Sequence, residues 1–325
     1  MPRVTRRDAV SAVVALPWLL WAVVRALGLD LGHPLVAAIG ATPLAAASSP
    51  VPVVVAFALR ARLVGVAALA AAVTLAAAVL PRAVEGSQRA AADAPGVPLV
   101  VMTANLYLGR ADAGAVVRTA RANRVDVLSV QELTAEALRR LDAAGARTLL
   151  PGRVLQSRDG AGGSGLLARS TLSPAPQAGD GEGHAQPSAL LRVPGARDVR
   201  ITAVHPVPPI SAGRVRIWRR QLRSLPAPAA DGPWSILAGD FNATLDHREL
   251  RRLLDRGLYD AADATGAGLR PTWPVGRRLP PLTLDHVVLP AGVTVRRLAV
   301  HEIPGSDHRA VVAEVLLPAE PAGRR

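Results

Sequence analysis

Three long apolar stretches crowd the first 80 residues of this 325-residue chain, and a soluble fold has no easy way to hide them. From Ala9 to Leu29 the sequence is almost uninterrupted apolar, with Arg3, Arg6 and Arg7 in front and Trp18 and Trp21 inside. A second stretch runs from about Leu35 to Leu59 and a third from Leu63 to Leu80. Each approaches the roughly 20 residues that a membrane-spanning helix needs. Pro43, Pro50 and Pro52 set the second apart, because proline kinks or breaks a helix interior. A cleaved signal peptide would account for the first stretch and for neither of the others. A buried soluble helical domain would give each helix a polar face, which these segments lack. Arginine placement orients them: Arg3, Arg6 and Arg7 precede the first stretch, and Arg60 and Arg62 separate the second from the third. With those loops in the cytoplasm, everything after Leu80 lies outside it, although Arg25, Arg82 and Arg89 on the other side reduce the asymmetry. The expectation is a multi-pass membrane domain over 1–84 with about three transmembrane segments.

Residues 85–97 carry Gly, Ser, Gln, Asp and Pro without periodicity and read as a linker. A globular α/β domain is expected over 98–318, with 319–325 as a tail. Its strands are expected at Leu99–Leu106, Val125–Val130, Leu166–Ala168, Ala189–Val193, Val199–Val204, Ser235–Ala238, Leu284–Leu289, Val293–Val300 and Val311–Leu317. Helices are expected over Ala113–Asn123, over Thr134–Leu141 with Thr134 as N-cap, over Arg214–Leu225 and over His247–Asp255. Gly160–Gly165 and Gly179–Gly183 read as flexible loops. The chain has no Cys, which excludes disulfides and thiolate metal sites. All 38 basic residues are Arg and the formal charge is +13. Such a balance favours anionic partners, but abundant Ala, Gly, Pro and Arg together point to codon bias as its first cause.

Polar residues fall where apolar runs end. Asn105 closes the first strand, Gln131 and Glu132 the second, and His205 the run through Val204. The run Ser235–Ala238 leads into Gly239, Asp240, Phe241 and Asn242, which places a carboxylate and a carboxamide on one face of a strand end. Asp285 and His286 lie in another run, and Gly305-Ser306-Asp307-His308 precedes the last strand. Singly, each has a plain explanation: Asn105 can close a turn, Glu132 can favour a helix N-terminus, and Asp285-His286 can pair at a strand edge. His33, His184, His247 and His301 have no such setting and read as structural or exposed. Jointly, the clusters supply what metal-assisted phosphoester hydrolysis needs. Glu132 and Asp307 suit a hard divalent cation. His205, Asn242 and Asn105 can surround a phosphate with donors. His308 oriented by Asp285 can move a proton, and Asp240 can orient or deprotonate a water.

Thr103-Ala104-Asn105-Leu106, Gln131-Glu132, His205, Gly239-Asp240-Phe241-Asn242, Leu284-Asp285-His286 and Gly305-Ser306-Asp307-His308 together resemble the endonuclease/exonuclease/phosphatase superfamily of DNase I-like proteins, in the family's order from about Leu99 to Leu317. The resemblance implies a four-layered α/β sandwich with two mostly antiparallel sheets, here preceded by transmembrane helices. It implies metal ligands at Glu132 and Asp307 with Asn105 nearby, and Mg²⁺, Mn²⁺ or Ca²⁺ as the ion. His205, Asp240 and Asn242 match phosphate-binding and water-orienting positions, and Asp285 with His308 matches a carboxylate–histidine pair. The Tyr or acidic residue that often supports the first histidine has no clear counterpart between Glu132 and His205. The amino-terminal spans, His205-Pro206-Val207-Pro208-Pro209 and Thr272-Trp273-Pro274 are similar to a bacterial membrane subgroup associated with glycopeptide resistance and lipid pyrophosphates, and Trp273 is a candidate wall of the substrate cleft. The implied function is a membrane-anchored phosphoesterase outside the cytoplasm, acting on a monoester, diester or pyrophosphate, with a lipid-linked substrate among the candidates. An anchored nuclease is the second reading, with nucleic acid as the partner, and a non-catalytic membrane scaffold the third.

Overall fold

The computed structural model describes residues 5–86, 94–178 and 182–320. Parts of the expected linker (87–93), of the Gly179–Gly183 loop (179–181) and of the tail (321–325) lie outside the described residues. The chain begins with α1 (Arg6–Leu27), closed by a capping box between Thr5 and Asp8 and ended by Gly28 in the left-handed region. The second apolar stretch does not form one span. It breaks into α2 (Leu35–Ile39), α3 (Thr42–Ser48) and α4 (Pro50–Ala58), and α5 (Arg62–Val79) follows. Proline sets these breaks. Pro43 and Pro50 sit in first turns, where the missing N–H leaves no helix bond unmade.

Two helical segments, Arg6–Leu27 and Arg62–Ala83, are long and apolar enough to cross a membrane by length and composition; Thr42–Ala58 is a shorter apolar segment. At 1.5 Å per residue the 22-residue segments reach ~33 Å and the shorter one ~25 Å, against a hydrocarbon core of ~30 Å. Against the expected three or so segments, the described residues hold two candidate spanning helices and one shorter apolar leg, the leg falling where the prolines set the second stretch apart. α1, α4 and α5 pack side by side. Arg25 near the end of α1 and Arg82 just past α5 both reach Asp246, so these two helices run the same way. Trp18 bonds Ser48 while Trp21 bonds Thr42, so α3 runs against α1. Val13, Leu16, Leu20, Leu63, Val66 and Val73 are exposed on this layer.

Among the described residues, the rest is built on twelve strands in two six-stranded sheets. The first sheet takes β1 (Val97–Asn105), β2 (Val127–Gln131), β3 (Gly152–Gln156) and β4 (Ser164–Ala168). The chain then crosses to the second for β5 (Leu172–Ala175), β6 (Ser188–Leu191), β7 (Val199–Val204), β8 (Trp234–Asp240), β9 (Leu258–Asp260) and β10 (Asp285–Pro290). It returns to the first for β11 (Thr294–Glu302) and β12 (Arg309–Leu317). The orders are β11-β12-β1-β2-β4-β3 and β5-β6-β7-β8-β10-β9. Each sheet has one parallel pair, β1/β2 and β7/β8, and all other neighbours are antiparallel.

Alternation explains the layers. Val101 and Val127 of the first sheet face Ile201, Ala203, Ile236 and Ala238 of the second, forming the core between the sheets. The opposite faces take helices. α6 (Ala113–Ala122), α7 (Ala135–Ala143) and α8 (Ala146–Leu149) cover Met102, Ala104 and Leu128. α9 (Ala212–Arg223) and α10 (Arg248–Leu254) cover Val204, Leu237 and Val288, and Val36 of α2 is buried in the same cluster. The amino-terminal layer is therefore packed against the two-sheet body and not strung from it.

Candidate functional site

The parallel pairs decide where the site lies. Their strands point the same way, so Asn105 and Glu132 follow the ends of β1 and β2, and His205 and Asp240 mark the ends of β7 and β8. β10 runs against β8, which sets Asp285 opposite Asp240. β12 runs against β1, which brings His308 to the same edge. Asn105 Nδ2 donates to Asp240 Oδ2 at 3.1 Å and so links the two sheets at this edge. Gly239 permits the approach of β7 and β8: a Cβ there would lie 1.9 Å from the Val204 carbonyl oxygen. Glu132 and Asn242 leave their strands at φ +56° and +47°, left-handed conformations that side chains with a Cβ adopt at some cost and that cluster at working sites.

Asp240 is buried among nitrogens. Its Oδ1 accepts the Asn242 N–H at 2.9 Å, and its Oδ2 lies 3.8 Å from both His205 Nε2 and His308 Nε2. Those two gaps exceed a direct hydrogen bond. Burial lifts the Asp240 carboxyl to about 7, with the His308 charge opposing and Asp285 assisting. His308 Nδ1 meets Asp285 Oδ2 at 2.8 Å, and Thr272 Oγ1 accepts the Asp285 N–H at 3.1 Å to hold that carboxylate in place. Burial disfavours the imidazolium, but Asp285 and then Asp240 outweigh it and hold His308 at about 10. Burial, then His184 and His308, push His205 well below its ordinary range, so that ring is neutral at neutral pH. The edge thus sets an anionic-or-neutral carboxyl between a neutral and a cationic imidazole.

Glu132 and Asp307 border the same cleft. Glu132 Oε2 accepts the Leu108 N–H at 2.5 Å and Oε1 accepts from Asn105 Nδ2 at 3.2 Å, so its side chain serves the cleft and not the N-terminus of α7, which Thr134 caps instead. Burial raises the Glu132 carboxyl, the backbone bond from Leu108 opposing. Asp307 Oδ2 takes Trp273 Nε1 at 3.3 Å and Arg277 Nη2 at 3.2 Å. Both carboxylates line the cleft, and hard oxygen donors of this kind suit a divalent cation of the Mg²⁺, Mn²⁺ or Ca²⁺ type. Asn105 stands between Glu132 and Asp240. Its Oδ1 takes the Tyr107 N–H at 2.9 Å, which turns the amide nitrogen to Glu132 and Asp240 and makes the side chain a brace between carboxylates. Asp240, Asp285 and His308 also offer ligand atoms within 4.8 Å of one another. A nitrogen in that set and the short Asp285–His308 bond fit proton handling better than a hard cation.

The cleft encloses about 410 Å³ and gathers residues the sequence did not single out. His184 stacks on His205 with ring centroids 4.4 Å apart, and burial lowers it to about 4. Gln186 Oε1 accepts the His205 backbone N–H at 3.1 Å while His205 Nδ1 has no hydrogen-bond partner, so among the described residues no acidic residue or Tyr supports that ring. Arg277 lies over the Tyr107 ring, donates to its hydroxyl at 2.7 Å and lines the cleft. Trp273 lines it too and is a wall of the cleft, not core packing. His247 is structural as expected, bonding Thr244 N–H at 2.9 Å and meeting the Val36 carbonyl at 2.8 Å. His286 points away from Asp285 and sits between Asp260 and the Ala243 carbonyl, each at 2.9 Å.

Two face-to-face mixed sheets, clad in helices and converging carboxylates, amides and an Asp–His pair on one edge, define a DNase I-like α/β sandwich. The sequence profile of the endonuclease/exonuclease/phosphatase family matches residues 102–308, and the chain belongs to that family, whose members hydrolyse phosphoesters. The fold is similar to an endonuclease/exonuclease/phosphatase from Beutenbergia cavernae DSM 12333 (TM-score 0.54, 20% identity, 70% of this chain and 73% of that one). It is also similar to humanized D. rerio TDP2 carrying 14 mutations (TM-score 0.52, 18% identity, 67% and 98%). A third likeness is the 3'-5' exonuclease NExo from Neisseria meningitidis (TM-score 0.50, 17% identity, 66% and 98%). No curated protein matches the chain in sequence.

Proposed function

We propose that this protein is a membrane-anchored, divalent-metal-dependent phosphoesterase that attacks phosphorus with water. The observation that carries this is Asp240 Oδ2 set 3.8 Å from both His205 Nε2 and His308 Nε2, with His308 held by Asp285. Asp240 takes the proton of the attacking water as the oxygen–phosphorus bond forms. His308, cationic against Asp285, gives a proton to the departing oxygen as its bond to phosphorus breaks. His205, Asn242 and Arg277 bind the phosphoryl oxygens, and Asn105 keeps Glu132 and Asp240 apart and aligned. Glu132 and Asp307 would hold the cation, which when bound supplies Lewis-acid charge to a phosphoryl oxygen.

The two long apolar helices support an anchor in the bilayer, and the paired directions of α1 and α5 support one orientation. Arg6, Arg7 and Arg62 begin these helices at the end remote from Asp246, which favours that end in the cytoplasm and the catalytic half outside. An anchored enzyme meets lipid-borne phosphates at high local concentration, so a lipid-linked substrate is preferred to free DNA. The test is hydrolysis of alkyl phosphates, phosphodiesters, pyrophosphates and DNA by the full chain in detergent, with added cation and with EDTA. Loss of activity in EDTA and in Asp240→Ala/His308→Ala is expected; activity that survives both refutes the mechanism. Preference for DNA with a steep salt dependence would select a nuclease instead.

A further inference from the structure

Three cavities succeed one another from the catalytic cleft into the amino-terminal helices. Away from Asp240 the cleft is lined by Pro208, Pro209, Ile210, Leu282 and Ala37, and Ala37 belongs to α2. A second cavity of about 110 Å³ shares Leu282 with it and adds Gly40, Ala41, Leu44 and Leu245. A third, of about 270 Å³, shares Ala41 and Leu44 with the second and adds Pro17, Trp18 and Trp21. The indole nitrogens of Trp18 and Trp21 are spent on Ser48 and Thr42, at 3.1 and 3.0 Å, so the rings offer hydrocarbon walls and no donor. Arg82 and Asp246 also line the second cavity, with Arg82 in a bidentate pair to Asp246 and Arg25 bonded to the same carboxylate at 2.6 Å. Leu44, which lines the third cavity, is exposed on the apolar layer, as are Leu16 and Leu20 of α1.

Resting on the phosphoesterase reading, we propose that these cavities form one track for the hydrocarbon tail of a single-chain phosphate ester, whose head sits at Asp240, His205 and His308. One end of the track is built for a phosphate and the other opens on a surface suited to lipid. A protein segment would bring backbone N–H and C=O groups, which the apolar walls of the third cavity could not satisfy. A hydrocarbon chain asks for no partners. The amino-terminal layer is therefore part of the substrate site as well as an anchor, since Ala37, Gly40, Ala41 and Leu44 supply one side of the path.

Gly40 is the neck. A Cβ there would meet His247 Cε1 at 3.4 Å, Thr244 Cγ2 at 3.5 Å and Leu282 Cδ2 at 3.6 Å, ordinary contacts, and its φ of −57° suits any residue. Gly40→Leu should fill the passage without backbone strain. The experiment measures kcat/KM of the full chain in detergent on alkyl phosphates from butyl to hexadecyl. Wild type should gain roughly tenfold or more with tail length, and Gly40→Leu should lose that gain while keeping butyl phosphate turnover. Micelle partitioning affects both proteins alike, so the ratio between them reads the track. A second readout is quenching of Trp18 and Trp21 by a brominated hexadecyl phosphonate, taken as the difference from Trp18→Phe/Trp21→Phe; it requires neither turnover nor a foldable Gly40 variant. Butyl phosphate turnover with no tail-length difference between wild type and Gly40→Leu, or no quenching, overturns the track and leaves the phosphoesterase reading standing. No turnover of any ester with any cation overturns that reading, and quenching then still decides the track.

Discussion

Replacing Asp285 by Asn should collapse the pH window in which the site works. The Asp285 side chain is fully buried and 2.8 Å from His308 Nδ1, so the isosteric amide keeps the packing and removes the charge. In the native site Asp240 titrates at about 7 and His308 at about 10, so the form with ionised Asp240 and protonated His308 dominates between those values. The sign follows from the pair. Activity rises with pH as Asp240 loses its proton and falls as His308 loses its own. Without the Asp285 charge and hydrogen bond, burial opposes the imidazolium with only Asp240 and Asp307 against it, and His308 falls toward the ordinary histidine value of ~6.5. The falling limb then moves down by up to ~3.5 pH units, and the correctly protonated fraction near pH ~8.5 drops from ~0.9 to as little as ~0.01. The assay is kcat/KM of Asp285→Asn against pH on a soluble aryl phosphate, with the metal held saturating. A loss on the order of 100-fold near pH ~8.5, shrinking steadily toward pH ~6.5, is expected. A falling limb left at its native position, or an equal loss at every pH, would show that Asp285 acts through shape and not charge.

Glu132→Gln and Asp307→Asn should each weaken Mn²⁺ or Mg²⁺ binding by roughly tenfold or more, read by calorimetry on the full chain; unchanged affinity would remove both from the metal site. Asp246→Ala leaves Arg82, almost fully buried, and Arg25 without their carboxylate, and should destabilise the protein by ~3–5 kcal/mol. Thermal unfolding in detergent checks this, and an unchanged midpoint would mean that the catalytic half does not depend on the amino-terminal layer.

Much of the strand pattern is legible because buried strands are short apolar runs bounded by turn residues. Val199–Val204 forms β7 as expected, and Thr134 caps α7 through its hydroxyl. β3, β5 and β9 escape notice for a shared reason. They are short strands, β3, β5 and β9 all at sheet edges, and Pro174 in β5 is tolerable only there. His184 and Arg277 carry no motif, and only the folding of loops around the cleft gives them a place beside His205 and Asp307. The second apolar stretch misleads because hydropathy counts apolar residues and is blind to what they pack against. Val36 is buried in a protein core and not in lipid.

By itself the sequence determined the reaction chemistry on offer. Asn105, Glu132, His205, Asp240, Asn242, Asp285, Asp307 and His308 each stand at a strand end, because residues there can be polar without breaking a core. Only the tertiary structure decided how they divide the work. Parallel pairing within each sheet and antiparallel return strands bring residues up to 203 positions apart, Asn105 and His308, to one edge. There the Tyr107 N–H fixes the Asn105 amide as a brace, and Asp285 makes His308 cationic. Burial sets the protonation of Asp240, and burial is a property of packed layers that no local stretch of sequence contains.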